Sequence, residues 1–465
     1  MTAAAAGAAR SGRFLADVGR IVPLAWPVFI GQLAVLAFGT IDTLLVARHS
    51  QADLAALAVG GAAYITVFIG FMGVVMAVAP LVGQLFGAGK LAAAGDELHQ
   101  AVWLALAMSL LGSSLLVFPQ PFLWLAKATP EVAERVRGYL LALALSLPAS
   151  LLFTVYRGFN TAVSRPKAVM VLQVAGLAVK LPLSAALVFG VPALGVPELG
   201  VTGCGIATAC AMWAQVLVAY AVMRRDDFYA PFQIWGRGLH APSAKAMAGL
   251  LKLGVPMGLA ILIEVTGFSF MALFISRIGT VPVAGHQIAT NVVSLMFMLP
   301  LALANASSTL VAQRIGAGDP ADARRLGWHG LALGLGLAAA LGTAVLLGRG
   351  GVVRLYTDDA AVIAVAVPLL AWVALFHVAD AAQTIVAFVL RAWRIATVPM
   401  VIYAGSLWGV GLGGGYVLAF NLSGATPEAL QGAPGFWIAS TTGLVLAGAC
   451  LVSFMVWAMR RKAEG

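Results

Sequence analysis

The sequence predicts an all-α membrane protein of about twelve spanning helices, arranged as two parallel six-helix lobes around a central cavity. Three observations carry this. Of 465 residues, 61% are hydrophobic and 10% charged, whereas a soluble domain carries roughly a quarter charged residues. Apolar runs long enough to cross a bilayer, about 20 residues as helix, recur along the whole chain. The two halves also repeat one another at a constant offset.

In chain order the runs fall near 22–47, 56–86, 98–124, 138–160, 168–190 and 200–222, then near 250–276, 284–313, 327–348, 360–390, 398–420 and 434–458. Arg10, Arg13 and Arg20 look like the basic end of a signal peptide. The apolar run behind them continues to about Ala47, too long for a signal core, so it is read as the first span. With the N-terminus inside, twenty Lys and Arg fall on the inner side, among them Arg10, Arg224, Arg225, Arg237, Arg461 and Lys462. Seven fall on the outer side, and Lys180 is left inside a span. The net charge of +10 is therefore the bias of membrane loops rather than a nucleic-acid patch, and it places both termini in the cytoplasm. Cys204, Cys210 and Cys450 sit in apolar stretches with no pairing or metal-ligand spacing, and are read as packing residues.

The repeat is visible by subtraction. Pro27 and Pro256, Arg48 and Arg277, Gln84 and Gln313, and Gly87 and Gly316 are each 229 apart. Leu81-Val82-Gly83-Gln84-Leu85-Phe86-Gly87-Ala88-Gly89 answers Leu310-Val311-Ala312-Gln313-Arg314-Ile315-Gly316-Ala317-Gly318. Six spans separate the equivalents, an even number, so both halves run the same way through the membrane, an arrangement suited to rocking around a cavity. The division reads as a lobe over 1–223, a cytoplasmic connector over 224–249 and a second lobe over 250–465.

Acids inside spans are expensive and point to function. Asp42, Glu264 and Asp380 are three such acids. Glu264 lies 12 residues after Lys252 and 13 before Arg277, near mid-membrane; Asp42 lies six before Arg48, toward the outer side; Asp380 lies eleven before Arg391. Phe376 and His377 stand one helical turn before Asp380, and Gln383 and Thr384 one turn after. Gln287, Asn291 and Ser294 form a polar stripe in the eighth span that continues to Asn305, a stripe that faces a cavity or a partner helix rather than lipid. A buried carboxylate holds a proton and releases it to an arriving cation; the alternative is that these acids lock helices together by hydrogen bonds. Phe268 and Phe376 offer aromatic faces to a cation, or pack the core. His286 and His377 read as interior histidines, with proton carriage as the alternative. Gly83 to Lys90 looks like a phosphate loop, but its glycine spacing is wrong and Leu91 stands where Ser or Thr is needed. Arg157 and Arg391, each shortly before a proline, read as anchors, and Gly411 to Gly415 as a site of close helix packing.

With acids in the first, seventh and tenth spans, the paired Gly-Ala-Gly turns at Gly87 and Gly316, the Glu264 to Phe270 segment and Leu355-Tyr356-Thr357-Asp358-Asp359, the chain resembles the bacterial NorM-type branch of the MATE (multidrug and toxic compound extrusion) transporters over nearly its whole length. The resemblance implies a cation-coupled antiporter of the bacterial cytoplasmic (inner) membrane that exports cationic or amphipathic drugs. Asp42, Glu264 and Asp380 match the family's cation-site carboxylates, with Glu264 and Asp380 as Na+ ligands where Na+ is the coupling ion. Phe268, Gln287, Asn291, Asp359 and Phe376 are the expected substrate-binding residues, Asp359 near the outer mouth of the drug cavity unless it is a solvated loop acid. The expected partners are membrane lipid and small organic cations, the expected state a monomer, and no cofactor is implied beyond the coupling ion, Na+ or H+. The competing reading is a flippase for lipid or lipid-linked sugar, which needs cationic side chains for phosphate, and Lys180 is the one clear basic residue deep in a span. A membrane-embedded enzyme would need a nucleophile with a base or a metal cluster at membrane depth, and no such spacing occurs.

Overall fold

The structure, a computed structural model, describes residues 3–464 except 128 and 236–237, and leaves out the side chains of 3–11, 125, 194 and 461–464. Arg237 and the side chains of Arg10, Arg461 and Lys462, counted above in the charge balance, lie outside the described residues.

Twelve helices are long and apolar enough to cross a membrane, and apart from one isolated bridge between Val191 and Val196 there is no β-structure among the described residues. In the first half, α1 (Ala3–His49) leads to a span broken at Met76 and Ala77 into α2 (Gln51–Val75) and α3 (Val78–Gly87). There follow α4 (Leu91–Val117), the short α5 (Gln120–Ala126), α6 (Pro130–Ala162), α7 (Pro166–Phe189) and α8 (Gly200–Arg225). In the second half come α9 (Ala244–Ser276), α10 (Thr280–Gly316), α11 (Pro320–Arg354) and α12 (Ala360–Ala392). The eleventh span is composite: α13 (Thr397–Tyr403), a π-helical stretch over Ala404–Gly413 and α14 (Gly414–Ala419). The last span is α15 (Ala433–Glu464).

Two elements differ from the sequence reading, each for a local reason. The third span stops at Val117 rather than near 124, because Pro119 has no N–H to donate and α5 starts afresh behind it. The eleventh span does not run as one α-helix: glycines at 405, 409, 411 and 413–415 weaken its α-helical preference, and the wider π turn takes over. Those glycines also permit close packing, since a Cβ on Gly415 would lie 2.6 Å from the Phe436 ring.

The repeat is visible in the turns. α3 and α10 both end at the equivalent glycines Gly87 and Gly316, and two residues later Gly89 (φ 71°) and Gly318 (φ 76°) occupy the left-handed region. Lys90 N–H then returns to the Leu85 carbonyl as Asp319 N–H does to that of Arg314. Only glycine enters that conformation without strain.

The chain divides into two compact units that do not follow the connector: Ile30–Gly258, and Met1–Phe29 with Leu259–Gly465. Each division point falls two residues after one of the repeat-related prolines, Pro27 and Pro256, where the helix has lost one backbone hydrogen bond. The start of α1 belongs with the C-terminal helices because Ile21 and Ala25 are part of a core with Leu303, Leu326 and Ile385. Asp17, buried, also receives Arg325 at 3.0 Å and His329 at 2.7 Å. The start of α9 belongs with the N-terminal helices because it lies backbone to backbone on α2: a Cβ on Gly254 would sit 2.3 Å from the Val74 carbonyl oxygen, and one on Gly258 2.6 Å from that of Gly70. The most enclosed span of the N-terminal unit is α6. In the C-terminal unit α12 packs on α10, α11 and α15.

Candidate functional site

In the C-terminal unit the amide of Gln383 collects the polar groups. Gln383 lies on α12 three residues after Asp380, so both side chains share a helix face. Its Nε2 donates to Asp380 Oδ1 at 2.9 Å and to Glu264 Oε1, from α9, at 3.1 Å, with Thr384 Oγ1 at 3.0 Å. An amide nitrogen carries two hydrogens, so three oxygens converge on a centre that satisfies two. Tyr403, on α13, donates its hydroxyl to Gln383 Oε1 and so fixes which end of the amide faces the carboxylates. Asp380, Gln383, Thr384 and Tyr403 are buried, while Glu264 is partly open. No cation forms a direct ion pair with either carboxylate among the described residues; the guanidinium of Arg391, eleven residues after Asp380 on the same helix, lies over the Phe388 ring at 4.3 Å.

Glu264 Oε1 and Asp380 Oδ1 are no farther apart than about 6 Å through the shared nitrogen. Two like charges at that separation repel by about 3 kcal/mol at an effective dielectric near 20. The cluster therefore favours one added positive charge. Oxygen donors alone suit a hard cation: Glu264 Oε1, Asp380 Oδ1 and Thr384 Oγ1 are in place, and a half-turn of the Gln383 amide would add its Oε1 with Tyr403 as acceptor. A proton on either carboxylate would serve the same charge balance.

In the N-terminal unit Asp42, on the second half of α1, is not the isolated acid that its position in the sequence suggests. Lys180 of α7 reaches it at 2.7 Å, and the same ammonium donates to the Phe38 carbonyl at 3.2 Å and lies over the Phe38 ring at 4.7 Å. Both charges are buried. Ser184 and Cys204 line the carboxylate, although Asp42 Oδ1 and Ser184 Oγ make no hydrogen bond.

Of the remaining expected residues, Phe268 and Phe376 stand one helical turn from Glu264 on α9 and from Asp380 on α12. Phe376 is 1% exposed and wedged between Phe268, at 5.9 Å between centroids, and Trp437, at 5.6 Å. Its ring supports Phe268 and presents no open face of its own. Asn291 and Gln287 are exposed on α10, Asn291 accepting from the Tyr356 hydroxyl at 2.7 Å. Asp359 caps α12, accepting from Ala361 N–H at 2.8 Å. It stands 21 residues before Asp380 on the same helix, about 30 Å away at a rise of about 1.5 Å per residue. His286 accepts from Trp437 Nε1 at 3.2 Å, and His377 is fully buried with both ring nitrogens unpartnered.

Sequence reasoning missed Tyr403 and the pairing of Asp42 with Lys180. No periodicity links Tyr403, on the next span, to Gln383. The second omission had a signal, since an acid and a lysine stranded in spans of one lobe are a natural pair.

Comparison with known proteins bears on the whole chain. A family model described as MatE matches residues 27–186 and 256–417, two stretches whose starts are the repeat-related prolines. A probable multidrug resistance protein NorM of Aromatoleum aromaticum is 40% identical over 446 residues, 95% of each chain. Multidrug resistance protein PmpM of Pseudomonas aeruginosa is 34% identical over 456 residues, 97% of this chain and 94% of its own. Among solved structures, the Vibrio cholerae MATE transporter VcmN in its bent form covers 96% of this chain and 98% of its own, with a TM-score of 0.84 at 18% identity. The eukaryotic MATE transporter AtDTX14 covers 97% and 98%, with a TM-score of 0.85 at 19% identity. At that identity the likeness shows the fold.

Proposed function

The chain belongs to the MatE family, in its bacterial NorM-type branch, and on that premise we propose that it is a Na+- or H+-coupled antiporter exporting cationic or amphipathic drugs and toxic compounds. It works by alternating access in the bacterial cytoplasmic membrane with both termini cytoplasmic, the orientation favoured by the excess of Lys and Arg on the inner loops. Members of the family are transporters, and the chain is one of them rather than an enzyme.

The observation that supports the coupling is the Glu264–Gln383–Asp380 cluster, two carboxylates in spans that share one neutral donor. Binding of Na+ or H+ there relieves the repulsion between the two carboxylates, with Gln383 and Tyr403 holding the oxygens in position. Asp42 contributes through its ion pair: a proton delivered to the carboxylate would release Lys180 from it. Phe268 is the aromatic group available to an organic cation, steadied by Phe376. A flippase site needs cationic side chains open to phosphate, whereas Lys180 is committed to Asp42 and Phe38.

The test is dye efflux from proteoliposomes under separately imposed Na+ and H+ gradients. One gradient should drive efflux in the wild type and neither should in Glu264→Gln or Asp380→Asn. Wild-type efflux in either variant would make those carboxylates structural.

A further inference from the structure

Asp96, His99, Gln100 and Trp103 lie three, four and seven residues apart on α4, and so form one stripe. That stripe grips the segment before α9. His99 Nε2 donates to the Ile234 carbonyl at 3.1 Å, and Trp103 Nε1 to that of His240 at 2.8 Å. Gln100 donates to the Ala241 carbonyl at 3.0 Å and accepts from Ser243 N–H at 2.7 Å. His240 Nδ1 meets Asp96 Oδ1 at 2.6 Å, and the two imidazole rings stand edge to face with centroids 4.7 Å apart.

One ligand atom from each of Asp96, His99 and His240 lies within 4.8 Å of the others. His99 is 3% exposed and its Nδ1 has no hydrogen-bond partner. Because Nε2 spends its proton on a carbonyl, the neutral ring carries its lone pair on that buried Nδ1. A histidine oriented through one nitrogen by a backbone carbonyl, with the other nitrogen open, is how metal-ligating imidazoles are held. Helix locking needs neither the open nitrogen nor a second imidazole and a carboxylate gathered beside the ring.

We propose that Asp96, His99 and His240 bind a first-row divalent transition metal of the Zn2+ class, which clasps the connector to α4. Two imidazoles and one carboxylate suit Zn2+, Ni2+ or Cu2+ rather than Mg2+ or Ca2+, which take oxygen ligands. Tetrahedral bonds of about 2.0 to 2.2 Å set ligand atoms about 3.3 Å apart. Rotation of the Asp96 and His240 side chains, the one exposed and the other half-exposed, closes the difference, and the metal takes the place of the proton they share. Water supplies the fourth ligand, and the open side of Asp96 is the entry path. The site shares no residue with the carboxylate cluster and stands whether or not the transport reading does.

Titration calorimetry of Zn2+ into the full-length, tag-free, chelator-treated protein in detergent tests this, together with hydrogen–deuterium exchange of residues 233–243. One equivalent should bind with a dissociation constant tighter than about 100 µM, and exchange in 233–243 should slow. His240→Ala and Asp96→Asn alter partly open side chains, leave the core intact and should each weaken binding by about 10-fold or more; His99→Gln should do the same. Saturable binding weaker than about 100 µM, or undiminished in the Asp96→Asn/His240→Ala double variant, would overturn the site. Tight binding that leaves exchange in 233–243 unchanged would overturn the clasp.

Discussion

In the N-terminal unit Asp42 is met by the Lys180 ammonium at 2.7 Å, and in the C-terminal unit Glu264 and Asp380 meet the neutral amide of Gln383 at 3.1 and 2.9 Å. The first cluster carries its own cation and sums to zero; the second pairs two carboxylates with a neutral donor and has no cation in direct contact among the described residues. Repeat-related positions show how the halves came to differ. The offset of 229 places Met271 opposite Asp42, and Val35 opposite Glu264. Arg157 and Arg391, 234 apart, set α6 against α12 and place Ser146 opposite Asp380. One scaffold therefore holds two electrostatic solutions, and the proposed Na+ or H+ site lies in the unit whose carboxylates have no cation in direct contact among the described residues.

The largest effect is expected where that difference is removed from the C-terminal side. Glu264→Gln and Asp380→Asn should each lower gradient-driven efflux to under about a tenth of wild type, since a neutral amide no longer calls for a cation. Their thermal unfolding in detergent should stay close to wild type, because size and hydrogen-bonding capacity are kept. Efflux under both gradients together with unfolding curves separates loss of coupling from loss of fold.

The next effect strikes the N-terminal pair as a unit. Asp42→Asn or Lys180→Met alone leaves a buried charge without its partner and should destabilise by about 3 to 5 kcal/mol, while the double variant should recover most of that. A double-mutant cycle on unfolding temperature measures it, and additive losses would dissolve the pair. In the Glu264→Gln/Asp380→Asn background, Lys180→Met should also create a Na+-dependent rise in unfolding temperature that the Lys180 parent lacks. If no rise appears, Lys180 is not what keeps inorganic cations from Asp42.

Tyr403→Phe is a finer probe. It leaves one lobe of the Gln383 amide unsatisfied, at about 1 to 3 kcal/mol, so half-maximal efflux should need a coupling-ion concentration about 5 to 150 times higher, with little change in maximal rate. An unchanged ion requirement would mean that the amide is oriented without Tyr403.

The smallest effect belongs to a pair outside the spans, where water screens what the membrane does not. Asp226 accepts from Phe228 N–H and from Arg165, and those two donors hold its carboxyl below the usual carboxylate value. Its contribution is present above the unfolded value, about pH 4, and is lost as pH falls further through the folded one. Asp226→Asn should cost under about 1 kcal/mol at pH 7, with the gap to wild type closing in unfolding curves recorded toward pH 3. A loss as large as that at Asp42 would show that burial is not what separates the two pairs.

The sequence by itself determined the class of the protein, its twelve spans and its repeat, because length and apolarity decide what crosses a bilayer and a repeat is arithmetic on one chain. It also located the acids, since a carboxylate in an apolar run stands out wherever it lies. Only the tertiary structure decided what each acid meets. Lys180 is 138 residues from Asp42, Gln383 is 119 from Glu264 and Tyr403 is 20 from Gln383, and helical periodicity constrains neighbours three or four residues away, not partners on another helix. The same limit moved the division between units from the connector into α1 and α9. Composition changes at the connector, but what assigns Ile21 to one core and Gly254 to the other is the packing of helix against helix, which no single segment of sequence contains.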